Sequence, residues 1–465
     1  MRYVSTRGEA PALGFCDALL AGLARDGGLY VPLEWPRFSP DEIRGMRGLA
    51  YPDLAVRLLT PFIGDEIEPK TFRRIVAEAY STFSHDAVCP IVQTAANEFV
   101  LELFHGPTLA FKDVAMQLLA RLMDHILAKR NQRATIAGAT SGDTGGAAID
   151  AFAGRDRVDI FILFPEGRVS PVQQRQMTGV AAANVHALAV GGTFDDCQAL
   201  VKDMFNDHAF RDKTALSGVN SINWARIMAQ IVYYFYAALS LGAPDRPVSF
   251  TVPTGNFGDI FAAYAAKRMG LPIGRLVIAT NENDILLRTL ETGRYETRKV
   301  IATTSPSMDI QVSSNFERLL FEESGRDAAS VRTEMQSLKQ SGAFTLDDRQ
   351  LDRIRDNFDA GRSTEKETAE TIRSVMEKSG YLLDPHSATA LHVARRRPRS
   401  DVPMVVLATA HPAKFPAAVE AASGITPALP ARLADLMQRE ERFTALPSDI
   451  KMVEDHILRH SRAAH

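Results

Sequence analysis

Apolar residues fall into two spacings along the chain, and their alternation organises it. From residue 1 to about 95, Ala18–Leu23, Asp53–Leu59 and Phe72–Tyr80 repeat at helical spacing between Gly and Pro breaks, so this stretch reads as mostly helical. Trp35–Pro36 and Thr60–Pro61–Phe62 read as loops within it. From about 96 onward short apolar, often β-branched runs take over. Phe99–Phe104, Ala134–Ala137, Ile160–Phe164, Val185–Val190, Val248–Val252, Leu276–Thr280 and Met404–Thr409 predict strands, with helices between them, as at Gln198–Phe205 and Ala225–Leu241. Strands alternating with helices predict parallel sheets covered by helices, with ligands held at the carboxyl ends of the strands. Residues 325 to 380 are charged and helical, with a break at Ala360–Gly361–Arg362–Ser363–Thr364. No internal repeat or low-complexity segment interrupts the pattern.

Three of the predicted corners carry chemistry. In Leu103–Phe104–His105–Gly106–Pro107–Thr108–Leu109–Ala110–Phe111–Lys112–Asp113 a strand stops at His105–Gly106–Pro107. A helix begins near Lys112, with Val114, Leu118, Leu119, Leu122 and Ile126 on one face. Lys112 thus sits where a helix's positive end pushes an amine toward its neutral, nucleophilic form. Such an amine can form a Schiff base with a carbonyl, as lysine does with pyridoxal phosphate. A solvated lysine at a helix start is the plain alternative. The second corner is Ala137–Gly138–Ala139–Thr140–Ser141–Gly142–Asp143–Thr144–Gly145–Gly146, leading into Ala147–Phe152. The third is Pro253–Thr254–Gly255–Asn256–Phe257–Gly258–Asp259, leading into Ile260–Met269. Backbone N–H groups and a helix dipole converge on an anion at such corners, although tight turns look the same. Two glycine loops downstream of a Schiff-base lysine suggest a phosphorylated cofactor and an anionic substrate. Neither loop carries the Gly-Lys-Ser/Thr ending of a Walker A motif or the Gly-x-Gly-x-x-Gly of a dinucleotide site.

These motifs, in this order, resemble threonine synthase. His105 to Asp113 resembles that family's cofactor-lysine motif, Ala139 to Gly145 its substrate loop, and Pro253 to Asp259 its phosphate cup. Thr409–Ala410–His411–Pro412–Ala413–Lys414–Phe415 resembles its C-terminal motif. Tyr3–Val4–Ser5–Thr6–Arg7–Gly8, Asp26–Gly27–Gly28–Leu29–Tyr30–Val31–Pro32 and Val219–Asn220–Ser221–Ile222–Asn223–Trp224–Ala225–Arg226 extend the likeness over nearly the whole chain. It is nearest to the bacterial and fungal branch, with its long N-terminal region.

The resemblance implies the tryptophan-synthase-β-like α/β fold (fold type II of pyridoxal-phosphate enzymes). Two interwoven parallel-sheet α/β domains would follow a mostly helical N-terminal domain. The corresponding ranges are 1–95, 96–240 with the cofactor lysine and substrate loop, and 241–465 with the phosphate cup and C-terminal motif. It also implies a pyridoxal 5'-phosphate-dependent lyase that converts O-phospho-L-homoserine and water to L-threonine and phosphate, the last step of threonine biosynthesis. Lys112 is then the catalytic lysine. Gly255, Asn256, Phe257 and Gly258 would hold the cofactor phosphate, and Thr409 would set a neutral hydroxyl beside the pyridine nitrogen. Ser141, Gly142, Asp143, Thr144, Asn223, Arg226 and Lys414 are the substrate candidates. Ser141 and Thr144 suit the carboxylate, while the substrate phosphate needs a cation. Arg226 and Lys414 are preferred to Arg168 and Arg175 because they lie in family-like motifs. Asp143 is the odd member, since it would repel a substrate carboxylate. His105 and His411 read either as site residues or as structural histidines. A serine/threonine dehydratase-like enzyme and a catalytically inactive phosphate-ester-binding relative are the alternatives.

Composition narrows the partners. The chain has 465 residues, enough for two or three domains, with 46% hydrophobic and 23% charged residues. A balance of 53 Lys plus Arg against 56 Asp plus Glu, a net charge of −3, argues against a nucleic-acid surface. The one dense basic run, Arg395–Arg396–Arg397–Pro398–Arg399, reads as a solvated loop after a helix. Three cysteines, Cys16, Cys89 and Cys197, fit reduced thiols in a cytoplasmic protein. His85 and Cys89 lack a second ligand pair, so no metal is expected. No apolar run nears the roughly 20 residues that span a bilayer, and the N-terminus has no signal pattern. The expected partner is a small-molecule substrate. Oligomeric state is left open and is compatible with a monomer.

Overall fold

The computed structural model describes residues 1–398 and 400–465, so Arg399 of the basic run lies outside the described residues. The apolar runs pair into two sheets. One has six strands in the order Phe358–Arg362, Ile273–Thr280, Val248–Pro253, Met404–Ala408, Glu98–Glu102 and Ile91–Ala95. Its neighbours run parallel except for the last two, which are antiparallel. The other has five strands, all parallel, in the order Thr444–Leu446, Val185–Val190, Val158–Pro165, Ala134–Ala139 and Leu216–Ser217. Every residue of Val158–Pro165 and of Val248–Pro253 is buried, as continuous apolar runs require of strands covered on both faces. Sheet membership crosses sequence order. Glu98–Glu102 joins strands from the 248–408 stretch, and Thr444–Leu446 returns to the sheet begun at Ala134.

The Trp224–Ser240 helix is central. It packs against Lys112–Lys129, Gly258–Arg268 and Tyr51–Ile63, and between Trp224 and Leu239 only Tyr236 escapes burial. A helix apolar on all sides belongs in a core. The helix expected from Lys112 starts at Lys112 and buries Val114, Leu118, Leu119, Leu122 and Ile126.

Two sequence expectations give way. Thr60–Pro61–Phe62 is not a loop but the last turn of the Tyr51–Ile63 helix, where buried Leu58, Leu59, Phe62 and Ile63 hold the chain helical through the proline. Ala360–Thr364 is not a plain break. Phe358–Arg362 is an edge strand parallel to Ile273–Thr280. Gly361 is needed there, since a Cβ would lie 2.6 Å from a Val393 methyl on the covering helix. The N-terminal region also holds a short antiparallel pair, Tyr3–Ser5 with Tyr30–Pro32.

Val248–Pro253, Met404–Ala408 and Glu98–Glu102 are adjacent in one sheet and parallel. Their carboxyl ends therefore deliver the phosphate-cup loop, Thr409 and the Lys112 loop side by side.

Candidate active site

The Lys112 loop is shaped from within and zipped to the C-terminal motif. Asp113 accepts hydrogen bonds from Thr108 N (2.8 Å) and Thr108 Oγ1 (2.6 Å), folding the loop back on its own helix. Gly106 lies so close to Asp113 that a Cβ would meet it at 2.4 Å. Phe111 N donates to Thr409 O (2.8 Å) and His411 N to Leu109 O (3.0 Å), joining motifs some 300 positions apart in sequence. His105 pairs with Glu102 (2.7 Å), and His411 Nδ1 accepts from Ala413 N (3.1 Å). Burial pushes His411 down to about 4. Both histidines serve the loop scaffold.

Lys112 is 8% exposed, and its amine lies 3.3 Å from Asp143 Oδ2 and 3.2 Å from Ser307 Oγ. Burial lowers its pKa, Lys414 and Arg226 nearby lower it further, and Asp143 opposes them. The net direction is toward the neutral amine inferred from the helix start, with burial as the larger cause.

Asp143 opens the Asp143–Phe152 helix after the Ala134–Ala139 strand. Its Oδ1 takes Lys414 Nζ (2.9 Å) and Gln173 Nε2 (2.8 Å), and its Oδ2 faces Lys112 and Ser307. Held between two cations, it is well below the usual carboxylate range despite burial. Thr140 Oγ1 accepts from Gly142 N and Gly145 N, both at 2.9 Å, and Gly142 has a φ of 140°. The Ser141 and Thr144 hydroxyls have no hydrogen-bond partner among the described residues.

In the phosphate-cup loop, Gly255 O accepts from Ser313 Oγ (2.6 Å) and Asn256 O from Asn315 N and Nδ2 (3.0 Å each). The carbonyls are thus tied to the 313–315 segment. The N–H groups of Gly255, Asn256, Phe257 and Gly258 find no acceptor among the described residues, at the start of the Gly258–Arg268 helix. The Tyr233 and Tyr234 hydroxyls donate to Asp259 and pin that helix start. Thr409 is 5% exposed, and its hydroxyl makes no hydrogen bond to the described residues. Four free donors on a helix dipole, a buried amine and a neutral hydroxyl at adjacent strand ends fit pyridoxal phosphate.

The charged candidates differ sharply. Lys414 is fully buried and its three donors are taken by Thr108 O (2.7 Å), Gln176 Oε1 (3.1 Å) and Asp143 (2.9 Å). Arg226 is 2% exposed, reaches only Val219 O at 3.4 Å, leaves Nε unpartnered and has no carboxylate partner among the described residues. Burial pushes it down to about 10. Arg175 is paired with Glu441 (2.9 Å), and Arg168 is exposed. Asn223 caps the Trp224–Ser240 helix through Ala225 N (3.0 Å) and donates to Leu19 O (2.9 Å), so both ends of its amide are in use. Sequence reasoning missed Gln173, Gln176, Ser307 and His386. None lies in a recognisable motif, and packing alone brings them to the site.

Comparison with known proteins agrees with this geometry. The chain matches the family models for threonine synthase N terminus over residues 2–80, pyridoxal-phosphate dependent enzyme over 93–409, and threonine synthase, C-terminal, over 387–457. The chain belongs to the threonine synthase family. The threonine synthase of Pseudomonas aeruginosa is 56% identical over 462 residues, covering 99% of this chain and 98% of that one. A crystal structure of pyridoxal-phosphate-bound threonine synthase from Brucella melitensis is 70% identical, with a TM-score of 0.98 and full coverage of both chains. The yeast threonine synthase structure is 40% identical, with a TM-score of 0.94, over 99% of this chain and 98% of that one. Membership makes this a pyridoxal-phosphate-dependent lyase of fold type II. Among the described residues no helix is long and apolar enough to cross a membrane, and no cluster of side chains could hold a metal ion.

Proposed function

We propose that this chain converts O-phospho-L-homoserine and water to L-threonine and phosphate, with Lys112 as both cofactor anchor and proton carrier. The observation that carries the reading is the buried Lys112 amine, displaced toward its neutral form and delivered at the same end of the parallel strands as the N–H groups of Gly255 to Gly258. Bound pyridoxal phosphate supplies the electron sink that stabilises negative charge beside the substrate amine. The N–H groups from Gly255 to Gly258 would take the cofactor phosphate, and Thr409 would meet the ring nitrogen without holding it protonated. Ser141 and Thr144 would offer free hydroxyls to the substrate carboxylate. Asp143 and Gly142 would shape that loop, Asp143 by holding the two lysines rather than by touching substrate. Lys112 takes and returns protons at the substrate's Cα and Cβ.

Arg226 is the better partner for the substrate phosphate. A buried guanidinium with no counter-charge is costly, and a phosphate relieves that cost. Lys414 has no donor to spare while Asp143 and its two other acceptors remain. Asn223 supports the helix that carries Arg226. An unmatched buried cation also favours a phosphorylated substrate over the unphosphorylated one a dehydratase would take. Free, buried Cys16, Cys89 and Cys197 support a reducing, cytoplasmic setting.

The test is threonine and phosphate formation from O-phosphohomoserine, with borohydride reduction of the loaded protein and peptide mapping. The label should fall on Lys112, and Lys112→Ala should abolish threonine formation. A label on another lysine, or ammonia release from threonine without phosphate release from O-phosphohomoserine, would overturn the reading.

A further inference from the structure

Ser307 lies in the Pro306–Met308 turn, outside every motif from which the site is built, and almost all of its polar atoms are engaged there. Its Oγ is 3.2 Å from Lys112 Nζ and 3.2 Å from Asp143 Oδ2. Its N–H donates to His386 Nε2 at 3.3 Å. Its carbonyl oxygen presses on the phosphate-cup loop, only 2.7 Å from where a Cβ on Gly255 would stand. Behind it, His386 Nδ1 lies 2.7 Å from Asp384 Oδ2, and that carboxylate also accepts from the backbone N–H groups of His386 (2.9 Å) and Ser387 (3.0 Å). Both side chains are buried, and the His386 ring rests on Phe415 with centroids 4.9 Å apart.

The hydrogen-bond inventory fixes the roles. Ser307 N donates to His386 Nε2, so Nε2 is the accepting nitrogen and Nδ1–H faces the Asp384 carboxylate. The Ser307 hydroxyl donates to Asp143 and its lone pairs face the Lys112 amine. Asp143 and Ser307 each accept from the Lys112 amine. When that amine reacts in its neutral form these two acceptors take both of its N–H bonds, and the remaining tetrahedral position carries the lone pair.

We propose that Ser307 is a further catalytic residue, its hydroxyl aiming the lone pair of Lys112, and that Asp384 and His386 are positioning residues that hold Ser307 in place. The inference rests on the assignment of Lys112 as the reacting amine.

The test uses the full chain, with pyridoxal phosphate and without it, and the variants Ser307→Ala, Ser307→Thr, His386→Leu and His386→Gln. Three quantities are read: kcat and KM with O-phosphohomoserine, the pH midpoint of the loaded protein's visible absorbance, and the rate at which acetic anhydride labels Lys112 in the cofactor-free chain. Ser307→Ala should lower kcat by roughly tenfold to a hundredfold with KM changed less than about threefold, as expected of a misaimed reacting group. It should also move the absorbance midpoint and the Lys112 labelling rate. Ser307→Thr keeps the hydroxyl and should restore all three. His386→Leu should act in the same direction, and His386→Gln, which keeps an acceptor, should restore part of the loss. Loss in the double variant Ser307→Ala/His386→Leu should be less than the product of the single losses, because the two act as one unit. Should His386→Leu not fold, Ser307→Ala and Ser307→Thr decide the matter alone. A Ser307→Ala protein with wild-type kcat, absorbance midpoint and labelling rate would overturn the proposal. If wild type makes no threonine, the function reading fails, while the absorbance and labelling measurements still judge Ser307.

Discussion

At the scale of single residues, the decisive contrast is between two buried cations. Lys414 is balanced by Asp143 and two further acceptors, whereas Arg226 has no carboxylate partner among the described residues. Arg226→Gln should therefore weaken use of O-phosphohomoserine by about 10²- to 10³-fold in kcat/KM, the cost of losing one partner of a buried charged pair. Cofactor affinity should change little. A kcat/KM within threefold of wild type would remove Arg226 from the phosphate site. Lys414→Met should behave differently. It strips Asp143 of a partner beside Lys112, so the loaded protein's visible band should shift and its melting temperature should fall even without substrate. An unshifted band with a raised KM alone would mean that Lys414 faces substrate after all. Lys112 was legible as a lysine at a loop-to-helix corner, and Thr409 only through the likeness of its motif to the family's C-terminal one. Ser307, Gln173 and His386 were not, because they come from separate segments whose meeting depends on tertiary packing, which no local spacing records. Asp143 was legible as a position but not as a role, since its meaning depends on two lysines distant in sequence.

At the scale of elements, the strands were legible because buried parallel strands are continuous apolar runs. The failures at Pro61 and Gly361 share a cause: a local breaker overruled by burial against a neighbour. The phosphate-cup glycines show the same effect of context. Gly255 faces a backbone carbonyl, that of Ser307, at 2.7 Å from a would-be Cβ, and backbone yields poorly. Gly258 faces the ends of the Asn315 and Ile227 side chains at 3.3 Å, which can shift by a few tenths of an ångström. Gly255→Ala should thus cost far more cofactor affinity and melting temperature than Gly258→Ala, although both lie in one loop. Fluorescence titration with pyridoxal phosphate and thermal melts of the two variants check the order. Equal losses would mean that direct approach of the cofactor, rather than the Ser307 turn, demands both glycines.

At the scale of the whole molecule, the C-terminus closes a sheet begun far earlier in the chain. Thr444–Leu446 adds the edge strand beside Val185–Val190, and Arg462 clamps Asp159 at 2.8 Å. The Ile450–His460 helix lays Val453 and Ile457 on the cluster around Phe161. His456 is caught in this closure, with His186 and His460 around it and no partner for its Nε2 among the described residues. Burial, with those neighbours, pushes it down to about 4. An unfolded histidine titrates near 6.5, so between about 6.5 and 4 the unfolded chain binds a proton that folded His456 refuses. Its contribution to stability is therefore complete above that window and lost as pH falls through it. His456→Gln cannot be protonated and should flatten this part of the curve. The stability difference between wild type and variant, from denaturant unfolding at pH 7.5 and pH 5, should shift in the variant's favour at the lower pH. Groups such as Asp143 and Asp113 titrate in both proteins and cancel in that difference, which leaves the sign to His456. A difference that stays constant between the two pH values would show that the closing helix takes up the proton without cost, and that the C-terminal closure is looser than its packing implies.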